Sequence, residues 1–228
     1  MSGAKGFISF EGIEGSGKST QTKLLAGYLR AKGYSVVETA EPGGTKIGNK
    51  IRGLLLEPQN HMDPLAELLL YYSSRAQHIR EVIHPAILRN DIVITDRFTD
   101  STVAYQGYAR GIALTIINTL NEIVAPDMKP CLTLLLDLDV EEGLRRNRHA
   151  QKEDRFELET IEFHKRVRKG FLKIAEEEPE RIKVLDASRS AEEINREVVE
   201  IINKSLPGII KISPGSQKSG VRNQNEKN

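Results

Sequence analysis

The sequence predicts one α/β domain: a five-stranded parallel sheet with helices on both faces. Three observations carry this. Short apolar runs alternate along the chain with segments of helical periodicity. The strand runs are continuously apolar, as in strands covered on both sides. The connections are long enough for helical crossovers, which parallel strands require. The length, 228 residues, suffices to bury one large core, and no internal repeat is present.

The elements follow in order. Phe7 to Phe10 reads as a buried strand leading into glycines. Residues 18–32 carry Leu24, Leu25, Tyr28 and Leu29 at helical spacing, with Gly33 as the stop signal. Val36 and Val37 mark the second strand. A long helix is predicted over 64–84, opened by Asp63 as cap and Pro64 in the first turn. Asp91 to Thr95 is the third strand, and 113–124 a helix stopped by Pro126. Leu132 to Leu136 is the fourth strand. Residues 141–178 read as one densely charged helical stretch. Ile182 to Leu185 is the fifth strand, and 191–204 the closing helix. The domain is expected to span 1–206. From Pro207 the composition shifts to Gly, Pro, Ser, Asn, Gln and Lys, and 207–228 reads as a disordered tail. A nucleic-acid-binding arm would need interleaved aromatic residues, and the tail has none.

Composition narrows the function. Lys plus Arg is 33 and Asp plus Glu is 32, a net charge of +1. Bulk electrostatic binding to nucleic acid or to a membrane gains no support from that balance. A single cysteine, Cys131, excludes an internal disulfide framework and a cysteine-built zinc site, and it reads as a small core residue. The five histidines, His61, His78, His84, His149 and His164, show no metal-binding spacing and read as structural or surface residues. No apolar run approaches membrane-spanning length. The stretch before Gly6 is too short for a signal-peptide core, so a reducing cytoplasm is the expected compartment.

The strongest motif is Gly12-Ile13-Glu14-Gly15-Ser16-Gly17-Lys18-Ser19, which fits G-x-x-x-x-G-K-[ST] between a strand and a helix. Glycines let backbone N–H groups turn inward around a phosphate, and the helix N-terminus adds about half a positive charge. Lys18 reaches the outer phosphates and the Ser19 hydroxyl suits Mg²⁺. The sheet is thereby expected to be of the P-loop NTPase type, binding a nucleoside triphosphate. Switches, motors and kinases all use such a cradle, so the motif alone does not choose a reaction.

Other residues bear on the recipient. A carboxylate inside the cradle, Glu14, is unfavourable beside phosphates unless it meets a metal, a cation or a hydroxyl; the alternative is an outward, solvated side chain. Glu41-Pro42-Gly43-Gly44-Thr45 forms a tight loop at a strand's carboxyl end, where open α/β sheets bind ligands. Tyr71 and Arg75 share one helix face, an aromatic ring beside a guanidinium that suits a flat polar-edged base, or equally core packing with a salt bridge. Asp96-Arg97-Phe98 follows the third strand. Arg97 can grip a monophosphate bidentately, and Asp96 stands where a Mg²⁺-linked carboxylate would; the alternative is a mutual ion pair.

Together these residues resemble the thymidylate kinase family. The resemblance rests on Phe10-Glu11-Gly12 through Thr20, Glu41 to Thr45, Tyr71 to His78, Asp96 to Gly111 and Asp154-Arg155-Phe156-Glu157, in the right order. It implies phosphorylation of dTMP to dTDP by Mg²⁺·ATP, a homodimer, and no nucleic-acid or membrane partner. It implies that ATP lies on Gly12 to Thr20, with the loop containing Ala187 beside the adenine. From the residues alone, that loop is equally a helix-capping turn. Ser19 and Asp96 would serve the metal. Arg97 would hold the dTMP phosphate with Arg52. Tyr71 would stack on thymine and Arg75 bond its edge, with Glu41, Pro42, Ser101 and Thr102 around the recipient. Tyr105 would press on the sugar, with Gln106 and Glu14 near it.

The resemblance is to bacterial forms with an arginine-bearing lid, here 141–157. Lys18, Glu14 and Arg97 are the expected catalytic groups, joined by a lid cation from Arg148, Arg155 or Lys152. The chain departs from the pattern at Ala150-Gln151, where Arg-Gly is frequent, at Asn49 in place of Glu, and at Tyr71 in place of Phe. A kinase for another nucleotide, a nucleotide switch, and a non-catalytic nucleotide-binding subunit are the rival readings. A guanine-reading Asn-Lys-x-Asp segment is absent.

Overall fold

The computed structural model describes residues 4–149 and 155–209. Strand β1 (Ala4–Glu11) lies at the centre of a parallel sheet with β2 (Val36–Ala40), β3 (Ile92–Asp96), β4 (Pro130–Asp137) and β5 (Ile182–Asp186). The strand order is β2-β3-β1-β4-β5. Ile8 is in register with Ile94 of β3 on one side and Leu132 of β4 on the other.

The period of two explains why the strands read as unbroken apolar runs. Ile8, Phe10, Ile92 and Ile94 face one core, shared with Leu25, Phe163, Phe171 and Val198. Phe7 and Val93 face a second core with Ile83 and Phe98, where the Phe7 and Phe98 rings meet edge to face at 4.9 Å.

Helix α1 (Lys18–Ala31) leaves the cradle, and α2 (Lys46–Leu56) starts where Thr45 Oγ1 accepts the Gly48 N–H at 2.9 Å. Helix α3 (Pro64–His78) has the expected cap, Asp63 accepting from the Leu65 N–H at 2.8 Å. It continues through a π-helical turn, Ile79–Ile83, into α4 (His84–Leu88). Two helical pieces escaped the sequence reading: α5 (Thr99–Thr102) and the π-helical turn Val103–Ala109. Their contents, rich in threonine, aromatics and glycine, carry no apolar periodicity. Helix α6 (Leu114–Val124) follows.

The stretch expected to be one helix over 141–178 is two. Helix α7 (Val140–His149) and α8 (Ile161–Glu177) are separate. Arg155 gives its backbone N–H to Leu56 O at 3.0 Å, and Thr160 caps α8 through the Phe163 N–H at 3.2 Å. These bonds take the chain out of helical geometry between them. Helix α9 (Ala191–Ile209) runs past the boundary drawn at Pro207. The rest of the expected tail, 210–228, and Lys152 of the expected lid lie outside the described residues. Cys131 is buried in the core, as expected. Among the described residues, no helix is long and apolar enough to cross a membrane.

A candidate two-nucleotide site

The strand order reverses around β1, and the carboxyl ends of β1, β2 and β3 open onto a cavity of 570 Å³. That position and size suit a small-molecule site. At one end lies the cradle. Gly12, Gly15 and Gly17 have φ of 141°, 73° and 91°. At Gly15 the need is steric as well: a Cβ there would stand 2.1 Å from the Gly143 carbonyl oxygen of α7. Lys18 is buried, its Nζ donating to Ile13 O at 2.7 Å and Ser16 Oγ at 3.3 Å. Burial, helped by nearby Arg97, pulls its pKa down to about 8. Ser19 Oγ donates to Asp96 Oδ2 at 2.5 Å, and both residues line the cavity.

At the other end lies Arg97, in left-handed backbone geometry at φ 73°. The conformation is held by its N–H to Phe10 O (2.9 Å) and by Thr95 Oγ1 donating to its carbonyl (2.8 Å). Its Nη1 donates to Gly12 O (3.0 Å) and Ser101 Oγ (3.1 Å). Its Nη2 donates to Glu14 Oε1 (3.0 Å) and the Tyr105 hydroxyl (3.1 Å). The expected alternative pairings therefore resolve: Arg97 pairs with Glu14, and Asp96 with Ser19. Glu14 is turned inward. Burial alone would raise its carboxyl, but His164, Arg97 and Lys18 outweigh that and hold it below the usual carboxylate range.

Behind Arg97 stands Glu11, which accepts from the Phe98 N–H at 2.7 Å and Ser101 Oγ at 2.5 Å. Burial and the neighbouring Asp100 push its carboxyl up to about 8. Asp100 itself is clamped by Arg181 at 2.7 and 2.8 Å, which anchors α5 beneath the site.

The third part is the Glu41–Arg75 pair. Arg75 is 1% exposed. Its Nε meets Glu41 Oε2 at 2.7 Å, and its Nη2 meets Phe98 O at 3.1 Å and Thr102 Oγ1 at 2.9 Å. Among the described residues its Nη1 has no hydrogen-bond partner, though it is buried, and Arg75 lines the cavity beside half-buried Tyr71. A buried donor left unpaired in a cavity wall is suited to a ligand acceptor. The Glu41–Pro42 peptide is cis. His78 completes the pair, its Nδ1 3.0 Å from Glu41 Oε1. Burial would raise the Glu41 carboxyl; Arg75 and His78 lower it below its ordinary value. A depressed folded pKa contributes stability above the ordinary carboxylate range, lost as pH falls through the folded value. Glu41→Gln should therefore destabilise the protein by about 3 kcal/mol at pH 7, because Arg75 keeps a buried, uncompensated charge. The gap from wild type should close on acidification, as thermal melts across pH 3–7 would show.

Hydroxyl and carboxylate oxygens, as on Ser19 and Asp96, are the donors a hard ion such as Mg²⁺ takes alongside substrate phosphates. Among the described residues, no group of three or more His, Cys, Asp and Glu gathers as a self-sufficient metal site.

The family model for thymidylate kinase matches residues 10–198. A thymidylate kinase of Syntrophotalea carbinolica is 51% identical over 195 residues, covering 82% of this chain and 90% of that protein. One of Halothermothrix orenii is 50% identical over 203 residues, covering 88% and 97%. The crystal structure of thymidylate kinase from Ehrlichia chaffeensis superposes with a TM-score of 0.71 at 38% identity, covering 86% of this chain and 97% of that one. The chain belongs to the thymidylate kinase family. As a family member it is an ATP-dependent nucleoside monophosphate kinase with the P-loop NTPase fold.

Most of the residues that the thymidylate kinase resemblance singled out meet in this cavity. Glu14, Gly15, Gly17 to Thr20, Glu41, Pro42, Arg52, Tyr71, Arg75, Asp96, Arg97, Ser101, Thr102, Tyr105 and Gln106 all line it. Arg52 reaches back to Pro42 O at 3.0 Å. Gly12, Ile13 and Ser16 stand just behind that lining, as backbone and as support for Lys18.

Three placements differ from expectation. Arg148 is exposed on α7 and does not line the cavity. Arg155 is buried and committed to Glu67, at 2.5 Å, and to Leu55 O, at 3.0 Å. Ala187 is fully buried behind the wall and offers its carbonyl to Arg146 Nη1 at 2.9 Å. The described arginine of α7 that lines the cavity is Arg146, held by Glu142 at 2.8 Å. Sequence reasoning passed over it. Its place follows from Gly143: a Cβ there would stand 2.6 Å from Glu14 O, so only glycine lets α7 dock on the cradle. Two histidines read as merely structural, His78 and His164, support the site carboxylates Glu41 and Glu14.

Proposed function

We propose that the cavity holds Mg²⁺·ATP on the cradle and dTMP against Arg97, end to end, and that the recipient's phosphate oxygen attacks the γ-phosphorus in line as the bond to the β–γ bridging oxygen breaks, giving dTDP and ADP. The observation that carries this reading is the pairing of two cationic anchors, Lys18 and Arg97, in one cavity whose wall also holds Arg75, its Nη1 without a partner among the described residues, beside Tyr71. A phosphomonoester is mostly dianionic at pH 7, so the attack needs no general base. What the protein supplies is position and positive charge. Arg97 grips the recipient's phosphate, Tyr71 stacks on the base, and Arg75 bonds its edge. Tyr105 packs where a ribose 2′-hydroxyl would project. Glu14, which carries the countercharge of Arg97 here, faces the sugar. Ser19 and Asp96 would hold Mg²⁺, which neutralises phosphate charge when bound. Arg146 replaces Arg148 and Arg155 as the arginine facing the donor.

The exposed apolar side chains Leu65 and Leu69 of α3 and Leu114, Ile116 and Ile123 of α6 support a homodimer through these helices. We place the reaction in the cytoplasm, with the donor.

A coupled ADP-release assay across dTMP, dUMP, AMP, CMP, GMP and thymidine tests the reading. dTMP should be preferred, with slower turnover of dUMP, since one methyl group discriminates by about 1–3 kcal/mol. Preference for AMP or CMP would overturn it. Sedimentation of the same protein should give twice the 25.5 kDa chain mass; a monomer would remove the dimer.

A further inference from the structure

Glu67 belongs to no motif, yet it is 0% exposed on α3, one helical turn before Tyr71. Its Oε1 accepts from Gln106 Nε2 at 2.8 Å and Arg110 Nε at 3.3 Å. Its Oε2 accepts from Arg110 Nη2 at 3.2 Å and Arg155 Nη2 at 2.5 Å. Two of these partners, Gln106 and Arg110, come from the π-helical turn Val103–Ala109 and its end, and the third, Arg155, from the segment before α8. Gln106 lines the cavity directly, on the π-helical turn that also carries Tyr105. Arg155 precedes Phe156, whose ring lines the cavity and meets Tyr105 edge to face at 5.6 Å. Arg155 also binds Leu55 O through Nε and Leu56 O through its backbone N–H, both at 3.0 Å. Leu56 lines the cavity as well. The same Arg110 Nη2 also meets Glu159 Oε1, at 2.6 Å.

We propose that Glu67 is a positioning residue for the recipient: through Arg155, Arg110 and Gln106 it sets Tyr71, Gln106, Phe156 and Leu56 at the spacing that admits one flat base and one deoxyribose. It rests on the reading of this end as the dTMP site. A buried ion cluster is a poor source of stability, since apolar residues of similar volume hold elements together equally well. A carboxylate between guanidinium forks does fix angles, because each fork has its donors in one plane. Arg155 acts here through Glu67 and not on a phosphate.

The test is steady-state kinetics on the full chain with Glu67→Gln, Arg155→Met, Arg155→Lys and the Glu67→Gln/Arg155→Met pair. Each neutralising single variant should raise KM for dTMP by about tenfold, with kcat and KM for ATP within about threefold of wild type. The pair should be no worse than either single, because both break the same connection. Arg155→Lys, which keeps the charge but not the fork, should fall between. KM for dTMP unmoved in folded variants would overturn the proposal. So would single effects that multiply to about 100-fold in the pair, the mark of independent sites. If Glu67→Gln does not fold, the two Arg155 variants decide by the same KM split. A wild-type protein inactive on dTMP would instead sink the assignment of the recipient.

Discussion

Lys18→Ala is expected to lower kcat by about 100- to 1000-fold, the loss typical of one charge-stabilising donor. KM for dTMP should move little, because Lys18 sits at the donor end of the cavity. The size of the effect follows from where the ammonium already is. It is buried and held by Ile13 O and Ser16 Oγ within the cradle's own loop. No side-chain ordering remains to be done when phosphates arrive, and a charge at a water-poor site acts more strongly than one in solvent. A control separates chemistry from folding. The fold lowers the pKa of Lys18 to about 8, so below that pH it disfavours the charged form. Between that value and the ordinary lysine pKa, the unfolded chain binds more protons than the folded one. Lys18 is therefore a cost to stability at pH 7, and Lys18→Ala should hold or raise Tm while turnover collapses. The same shift predicts that ATP affinity falls as pH rises through about 8, where the free protein sheds the proton that phosphates favour. Calorimetry in buffers of different ionisation enthalpy should show proton uptake on ATP binding near that pH. A pH-independent ATP affinity between 7 and 9 would show that Lys18 stays charged in the free protein.

Many of the residues that sequence reasoning named and that line the cavity share one property: local chain geometry brings them there. The cradle is contiguous from Gly12 to Ser19. Glu41 and Arg97 follow strand ends, and parallel strands deliver their ends to one rim. Tyr71 and Arg75 are one helical turn apart. What escaped depends on contacts between distant segments. Arg146 reaches the cavity because Gly143 packs on Gly15, a contact visible only once α7 is laid against the cradle. Arg155 sits in a charged run whose helical periodicity resumes after the break, so nothing local announced the turn. Its buried partner, Glu67, is a lone carboxylate in an apolar helix segment, and such a residue reads as solvated until the fold covers it. The π-helical turn Val103–Ala109 escaped for a related reason: no apolar periodicity or propensity marks it.

Arg97→Ala should weaken dTMP binding by about 100-fold, the scale of losing one charge-assisted, bidentate contact. The guanidinium makes four hydrogen bonds, two to Gly12 O and Ser101 Oγ and two to Glu14 and Tyr105. It also lies over the Tyr105 ring, 5.0 Å from its centroid. Burial would lower its pKa, but Tyr105, Glu14 and Asp96 raise it above the ordinary arginine value, so it is charged at every working pH. Removing it does two things at once: the recipient loses its phosphate grip, and Glu14 loses a buried partner. Backbone substitution separates the two from strain. Arg97 sits at φ 73°, where a non-glycine residue costs about 1–2 kcal/mol. Arg97→Gly relieves that cost and Arg97→Ala does not, while both lack the guanidinium. Arg97→Gly should therefore melt higher than Arg97→Ala yet bind dTMP no better. Arg97→Lys, with a point charge in place of the fork, should recover part of the affinity. Glu14 makes the remaining distinction. Its Oε2 is buried with no hydrogen-bond partner among the described residues, 3.4 Å from His164 Nδ1. If Arg97 serves chiefly to neutralise Glu14, then Glu14→Gln/Arg97→Ala should restore dTMP affinity. If Arg97 grips the phosphate, as its place in the cavity indicates, that pair should recover stability and leave the affinity loss intact. Isothermal titration with dTMP, read beside thermal melts of the same variants, tells these outcomes apart.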